Sequence, residues 1–361
     1  MLFYMPTKIY SEKVCVKNHR EEIASFGTKA MIVTGRSSSR KNGSLGDVEE
    51  VLKKEKIAYV IFDEIEENPS IETVMRARKI GLDENVDFVI GIGGGSPIDA
   101  AKAIALMIAN PEESEDILYM AKELTYLPVI CVPTTCGTGS EVTPYAILTI
   151  HEKRTKKSIS HRIYPALALL DYSYLKSMPR EGLVHTAVDA LAHLMESYLN
   201  ANSNEWNRVY SREGLQVWQQ IKEPLQSGEL QDSDYEKLLR ASSLAGMAIT
   251  HTSTSLPHGL SYTLTYELGL PHGQAVGYYL AGFVSLYKDK NAVNEVLNLL
   301  GFEDDVAFET FMNGLLGKIE VPERLLEKAA KTILADARKL KNYPFTVTEE
   351  EILKMGQAYN D

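Results

Sequence analysis

The run VDFVIGI, Val86 to Ile92, passes without interruption into GGGSPIDAAKAIA, Gly93 to Ala105. A β-rich apolar stretch, a glycine triplet and then a proline at the head of an alanine-rich segment suit few backbones. They read as a strand, a tight turn and a helix that starts at once. Glycines allow close approach of the backbone to a ligand. The helix N-terminus offers free N–H groups and the positive end of its dipole, which suits a dinucleotide pyrophosphate. Glycine clusters also form purely structural turns, and this one departs from the ordinary Rossmann fingerprint. It follows the third expected strand rather than the first and reads GxGGGS.

The surrounding pattern sets the fold class. KAMIVTG, IAYVIFD, VDFVIGI, PVICV, YAILTI and ALALLD each read as a strand, with helical spacing over Gly46 to Lys56 and Ser70 to Leu82 between the early ones. Strand and helix in alternation predict βαβ units on a mostly parallel sheet. Beyond about Ser177 the segments Val184 to Leu199, Tyr235 to Ile249, Gln274 to Leu286 and Glu323 to Leu340 read as long helices. The predicted organisation is therefore an α/β dinucleotide-binding domain over 1–178 and an all-α domain over 179–361, with the boundary at MPRE, Met178 to Glu181.

Two further loops belong with the glycine turn. PTTCGTGSEVT, Pro133 to Thr143, follows the strand PVICV and offers the hydroxyls of Thr134, Thr135, Thr138 and Ser140 to phosphate, ribose or a nicotinamide amide. The first strand ends in Gly35, followed by Arg36, Ser37, Ser38, Ser39, Arg40 and Lys41. An NAD-selective site places an acid there against the ribose 2′-hydroxyl. Its absence, with cations and hydroxyls nearby, favours a 2′-phosphate and hence NADP(H) over NAD(H). The alternative is a solvated basic loop.

The helical half carries Asp189, His193, His258 and His272. Asp189 and His193 stand four apart in HTAVDALAHLMESYL, on one helix face and one turn apart. His258 and His272 sit in LPHGL and LPHGQAV, each between Pro and Gly, so a small neighbour leaves room at each imidazole. Three imidazoles and a carboxylate can hold Fe(II) or Zn(II) and leave a position for a substrate oxygen. A single histidine is more often a hydrogen-bonded core or surface residue, and it is the joint pattern beside a nucleotide-type loop that points to a metal.

Together these residues resemble the iron-containing (group III) alcohol dehydrogenase family, whose relatives include glycerol dehydrogenase and dehydroquinate synthase. The resemblance spans essentially the whole chain, through FYMPTKIY, ENPS at Glu67 to Ser70, GGGSPIDAAKAIA, PTTCGTGSEVT, VDALAHLMESY and the two PHG segments. The pattern is nearest to the NADP-dependent 1,3-propanediol and alcohol dehydrogenases. It implies a dehydroquinate synthase-like fold, with an N-terminal nucleotide domain, a helical metal domain and a cleft that holds nicotinamide beside the ion. By the same resemblance Asp189, His193, His258 and His272 are the metal ligands. Gly94, Gly95, Ser96, Asp99, Thr134, Thr135 and Thr138 line the cofactor, and Lys157 contacts a ribose; Gly35, Ser37, Ser38 and Lys41 are the candidates at the adenosine ribose on the loop's own residues.

Two positions depart from the family pattern. Gly35 replaces the usual Asp, and Tyr262 stands where the family commonly has a second His used in proton transfer. Tyr262 and His251 are the protein candidates for that proton relay, beside a water chain. The implied reaction is hydride transfer between NAD(P)(H) and a primary alcohol, aldehyde or small diol, with the divalent ion polarising the carbonyl. A carbon–oxygen lyase resembling dehydroquinate synthase is the alternative. It would use a Glu and two His, together with basic groups for a phosphorylated substrate, and these are not evident in the helical half. A metal-bound scaffold without catalysis sits poorly with two complete cofactor loops and four ligands.

Charge and termini narrow the partners. With 38 Lys+Arg against 49 Asp+Glu and no basic block, the chain is not expected to bind nucleic acid or an anionic membrane. MLFYMPTKIY lacks the basic and apolar regions of a signal peptide, and the apolar stretch Ile98 to Ala109 is interrupted by Asp99 and Lys102. A cytoplasmic enzyme is expected. Cys15, Cys131 and Cys136 cannot all pair and read as reduced core thiols. The family resemblance implies a homodimer or larger homo-oligomer.

Overall fold

The computed structural model describes residues 3–153 and 155–357. They divide into two compact units. One runs through Thr135 and resumes over Gly139–Met178, and the other joins Cys136–Thr138 to the chain from Pro179 onward.

The first unit is built on a parallel sheet. Its strands are β1 (Lys8–Ser11), β2 (Lys29–Thr34), β3 (Ala58–Phe62), β4 (Phe88–Gly93), β5 (Val129–Pro133) and, after a separate ribbon, β8 (Leu167–Leu170), in the order β1-β8-β5-β4-β2-β3. All pairings within it are parallel, with Ile32 opposite Ile90 and Ile90 opposite Ile130. Residues alternate between two buried faces, as the period of two requires. Ala30, Ile32, Phe88 and Ile90 share one apolar cluster with Leu45, Val48 and Val51 of helix α1 (Ser44–Lys54). Met31, Val33 and Val89 share the other with Val74 and Ala77 of α2 (Ile71–Asp83) and with Ile98 and Ile104 of α3 (Gly95–Ala109).

The chain order sets where a ligand can sit. From β2 the chain moves outward to β3, then returns to place β4 on the other side of β2. The helices after β2 and β4 cover opposite faces, so the carboxyl ends of these two strands flank a topological switch point, the usual ligand crevice of an open α/β sheet. Gly35 follows β2, and the glycine triplet closes β4.

The segment YAILTI departs from the expected sheet. Its strand β6 (Ile147–Ile150) pairs antiparallel with β7 (Thr155–Ser158) in a separate two-stranded ribbon, with Leu148 opposite Lys157 and Thr149 opposite Lys156. At the opposite edge of the main sheet, FYMPTKIY supplies the short strand β1, which period-two reading did not find because four residues carry little pattern.

The second unit is helical: α4 (Arg180–Tyr198), α5 (Glu205–Gln219), α6 (Asp232–Thr252), α7 (Leu256–Leu268), α8 (His272–Leu286), α9 (Lys290–Leu300), α10 (Asp305–Leu316), α11 (Glu323–Leu334) and α12 (Glu349–Gln357). Helix α4 is the axis of the unit and is buried almost continuously from Leu183 to Tyr198. Trp218 of α5 is wholly buried against it and donates its indole N–H to the Ala187 carbonyl at 2.9 Å. The predicted helix Glu323 to Leu340 is interrupted at Ala335, because the Asp336 side chain accepts from the N–H groups of Arg338 and Lys339 and starts a short helix, Ala337–Leu340. None of the helices among the described residues is long and apolar enough to cross a membrane. The cysteines are free and buried.

Beneath the Pro133–Thr143 loop lies a buried ion pair. Lys102 of α3 is wholly buried, and its ammonium donates to Ser140 Oγ at 2.8 Å and to the Tyr145 carbonyl at 2.7 Å. Its Nζ lies 3.8 Å from Asp99 Oδ1. The Asp99 carboxylate accepts from the Ser140 hydroxyl and, at 2.8 Å, from the Ile147 N–H. Removing one partner leaves a buried charge uncompensated, so Lys102→Met should destabilise the chain by about 3–5 kcal/mol in denaturant unfolding. A change below about 1 kcal/mol would mean that the pair does not brace the loop.

Candidate active site

The glycine turn is shaped for close approach. Gly93 has φ +147°, and a side chain there would meet Pro97 Cγ at 2.6 Å. Gly94 precedes α3 as its N-cap with no side chain to occupy the helix end, so the first-turn N–H groups of α3 keep the anion-binding character of a helix N-terminus. A Cβ on Gly94 would stand 2.9 Å from Thr135 Cγ2, which puts the Thr135 side chain directly beside the turn. Thr134 N–H donates to the Gly93 carbonyl at 2.9 Å and locks the two strand ends together. Ser96 Oγ accepts from the Asn68 N–H at 3.0 Å.

Some sequence-predicted cofactor residues have other duties. Asp99 offers no open carboxylate to a ligand, because both its oxygens are engaged beneath the loop by Ser140 and Ile147. Ser140 is committed to the same network. Thr138 belongs to the helical unit, whereas Thr134 and Thr135 stay with the sheet. On the β7 ribbon, adjacent lysines point to opposite sides. Lys156 Nζ donates to Asn68 Oδ1 at 2.6 Å, and Lys157 Nζ lies 5.1 Å from the centre of the Tyr119 ring. Through Asn68 it is Lys156, rather than Lys157, that is linked to Ser96. Burial lowers the Lys156 ammonium to about 8.

At the end of β2, Arg36, Ser37, Ser38 and Lys41 are exposed, while Arg40 is paired with Asp63 at 2.8 Å. Ser39 is buried and accepts from Thr34 Oγ1 at 2.8 Å. A Cβ added to Gly35 would meet only the Ile65 carbonyl, at an ordinary 3.5 Å, so the position has room for a side chain.

In the helical unit, Asp189, His258 and His272 each present a donor atom, all within 4.8 Å of one another. His258 Nε2 lies 3.2 Å and His272 Nε2 3.6 Å from Asp189 Oδ1. His193, one turn beyond Asp189 on α4, has its Nε2 4.0 Å from the same oxygen and stacks its ring on that of His258 at 4.2 Å. Burial is nearly complete for Asp189 and His258, whereas the His272 side chain is 30% exposed, so the cluster is open on the His272 side.

The donor set fits a divalent ion. His193 Nδ1 donates to the Gly137 carbonyl at 3.3 Å, and His258 Nδ1 to Glu196 Oε1 at 2.5 Å. With Nδ1 given to a protein acceptor, Nε2 is the nitrogen each ring turns towards Asp189, and once deprotonated it would offer its lone pair to an ion. Two such imidazoles, a third from His272 and a carboxylate form the borderline nitrogen and oxygen set of Fe(II) or Zn(II). Burial would raise the Asp189 carboxyl, but His193, His272 and His258 hold it well below the usual carboxylate range. Burial lowers His193 to about 4 despite Asp189. Burial also opposes charge on His258, but Glu196 and Asp189 outweigh it and raise the ring to about 9.

Glu196 was not found from the sequence, although the signal was present. It stands seven residues after Asp189 and three after His193, on the same stripe of α4. The Gly137 carbonyl had no signal at all, since only the folded chain brings it to α4.

The two proton-relay candidates lie differently. Tyr262, one turn after His258 on α7, stacks against His272 with ring centres 6.1 Å apart, and Lys339 Nζ lies 5.7 Å from the centre of the Tyr262 ring. His251, in the last turn of α6, donates from Nδ1 to the Met247 carbonyl of its own helix at 3.0 Å.

The iron-containing alcohol dehydrogenase profile matches residues 6–172, and the C-terminal profile of the same family matches residues 183–358. The chain belongs to the iron-containing alcohol dehydrogenase family. An iron-containing alcohol dehydrogenase of Thermotoga maritima superposes with a TM-score of 0.92 at 38% identity, covering 100% of this chain and 99% of that one. An NADPH-dependent butanol dehydrogenase of Clostridium saccharobutylicum is 28% identical over 91% of this chain and 86% of its own. Aldehyde-alcohol dehydrogenase 2 of Entamoeba histolytica is 30% identical over 77% of this chain, which matches only 33% of that longer protein. The iron-containing alcohol dehydrogenase family favours oxidoreductase chemistry over the lyase alternative.

Gly273 is what lets α8 bring His272 to α4. A Cβ there would stand 1.8 Å from the His185 carbonyl oxygen and 3.3 Å from Asp189 Cβ. Gly273→Ala should therefore push α8 off α4, costing about 1–3 kcal/mol or more in unfolding experiments. It should also abolish retention of metal measured by elemental analysis; full metal retention would show that His272 is not held in place by this contact.

Proposed function

We propose that this chain transfers hydride between NADP(H) and a primary alcohol, aldehyde or small diol, with a divalent ion, Fe(II) or Zn(II), held by Asp189, His193, His258 and His272. The observation that carries the reading is the buried carboxylate ringed by imidazole Nε2 atoms, two of which have their Nδ1 protons tied to protein acceptors. When bound, the ion supplies Lewis acidity at a carbonyl or alcohol oxygen and the nicotinamide supplies or accepts the hydride.

The protein's own groups divide the work. Asp189 neutralises the charge brought into the site, and Glu196 and the Gly137 carbonyl keep two rings turned towards it. Gly94, Gly95 and Ser96, with the N-terminus of α3, hold the pyrophosphate, and Thr134 and Thr135 line the same turn. Lys156, linked through Asn68 to Ser96, is the cation placed to meet a ribose hydroxyl. Gly35, Ser37, Ser38 and Lys41 accept the 2′-phosphate at the end of β2. Tyr262 delivers or removes the product proton, since its ring already lies on His272 and its hydroxyl can serve as donor or acceptor.

The decisive experiment removes metal from the protein and restores it anaerobically with Fe(II) or Zn(II), then follows NADPH and NADH oxidation with a panel of small aldehydes. Turnover with NADPH that depends on added metal is expected. Cofactor-binding protein that stays silent with every aldehyde and both metals would overturn the proposal. His258→Ala should lose metal and activity together while NADP(H) affinity is unchanged. Loss of cofactor binding with metal retained would reverse the assigned division of labour.

Gly35→Asp has room in the fold and brings a carboxylate to the proposed 2′-phosphate position. The NADP(H)-to-NAD(H) preference should fall on the order of 10-fold or more in kcat/KM, equivalent to at least about 1.4 kcal/mol. An unchanged ratio would mean that another segment makes the choice.

A further inference from the structure

Glu196 sits at a junction that the ligand set alone does not explain. It is completely buried on α4, and both its carboxylate oxygens are used. Oε2 accepts from the Ser255 N–H. Oε1 accepts from the His258 N–H at 3.2 Å and from His258 Nδ1 at 2.5 Å. The same carboxylate therefore caps the N-terminus of α7 from outside the helix and fixes the ring orientation of a residue in its first turn.

The loop that leads to His258 is held by Ser197 of α4 and by Asn200 just beyond its end. Ser253 has φ +62° and ψ −177°, a region costly for any residue but glycine. Its carbonyl accepts from Asn200 Nδ2 at 3.3 Å and from Thr252 Oγ1 at 2.9 Å, and Thr252 Oγ1 is also 3.0 Å from Ser197 Oγ. Strain of this kind persists only where neighbouring contacts over-determine it. Here those contacts come from Ser197 and Asn200, with Glu196 holding the next turn.

We infer that Glu196 is a positioning residue for the metal: its carboxylate holds His258 as the Nδ1–H tautomer and aims Nε2 at the Asp189 site. The inference rests on the reading of Asp189, His193, His258 and His272 as the metal set. Histidine ligands backed by a carboxylate depend on it, and loss of such a partner typically weakens metal binding by about 10- to 100-fold. Glutamine at this position keeps the volume and one acceptor oxygen, but cannot accept from the Ser255 N–H and His258 together in the same way, and it lacks the charge that strengthens His258 as a donor.

The test uses the full chain, stripped of metal and titrated with Zn(II) against a chromophoric chelator, with Co(II) absorption as a second readout of the ligand field. Glu196→Gln should bind Zn(II) about 10- to 100-fold more weakly, with an altered Co(II) visible spectrum and unchanged NADP(H) affinity. Asn200→Ala, which loosens the same loop without touching His258, should leave the Co(II) spectrum unchanged. Folding of each variant is checked by its circular dichroism and thermal midpoint. Wild-type Zn(II) affinity and Co(II) spectrum in folded Glu196→Gln would overturn the inference. So would an equal loss of affinity and the same spectral change in Asn200→Ala, because the loop and not the imidazole contact would then carry the effect. If the unaltered chain itself takes up neither Zn(II) nor Co(II), the metal reading fails first, and that outcome is separate from any difference between variants.

Discussion

The buried carboxylate of Asp189 is the constraint on which the helical unit depends. A charge taken this far from water has to be met by donors or by opposite charge. Three imidazoles converge on it, and a second buried carboxylate, Glu196, stands behind one of them. Rings that give their Nδ1 protons to protein acceptors turn Nε2 inward, and Nε2 atoms gathered around a carboxylate would suit a cation. Much of the surrounding architecture follows. Helix α4 buries its apolar residues, Val188, Leu191, Leu194 and Met195 among them, and with them encloses Asp189, His193 and Glu196. Gly273 is a glycine because α8 must lie directly on α4 to deliver His272.

The sheet unit answers a different electrostatic problem. A dinucleotide would bring phosphates, and the backbone N–H groups at the start of α3, where no capping side chain competes, are suited to meet them. The topology puts that turn at the switch point between β2 and β4, so the strand end carrying Gly35 lies at the same crevice. Asp99 and Lys102 complete this arrangement from below. Four and seven residues beyond Gly95, on the face of α3 turned inward, they join Ser140, Tyr145 and Ile147 into one buried network and give the Pro133–Thr143 loop its shape.

Much of this was legible in the sequence because short-range physics wrote it there. The strands β2 to β5 showed as apolar runs, with β2, β4 and β5 buried on both faces, the turn at Gly93 as a glycine cluster ahead of a proline, and the α4 pair Asp189 and His193 as a one-turn repeat. Other features had no local signature. YAILTI has the composition of a sheet strand, yet pairs with β7 in its own ribbon, a choice made by which neighbour the chain can reach. Asp99 lay within a cofactor motif, but its side chain points away from the turn, and only the packing of α3 shows that. Lys157 was the sequence candidate on β7, but neighbouring strand residues face opposite sides, and only the folded ribbon shows that Lys156 is the one that reaches Asn68.

The sequence by itself determined the alternation of strands and helices, the glycine turn, the acidic charge balance and the residue types able to hold a metal, because each depends on neighbours within a few positions along the chain. Tertiary structure alone decided which groups stand beside Asp189, which imidazole nitrogen carries the proton, and that Glu196 and the Gly137 carbonyl are what orient the rings. His258 and Asp189 are separated by nearly seventy residues, and the contact between them at 3.2 Å exists only once α7 and α4 have packed.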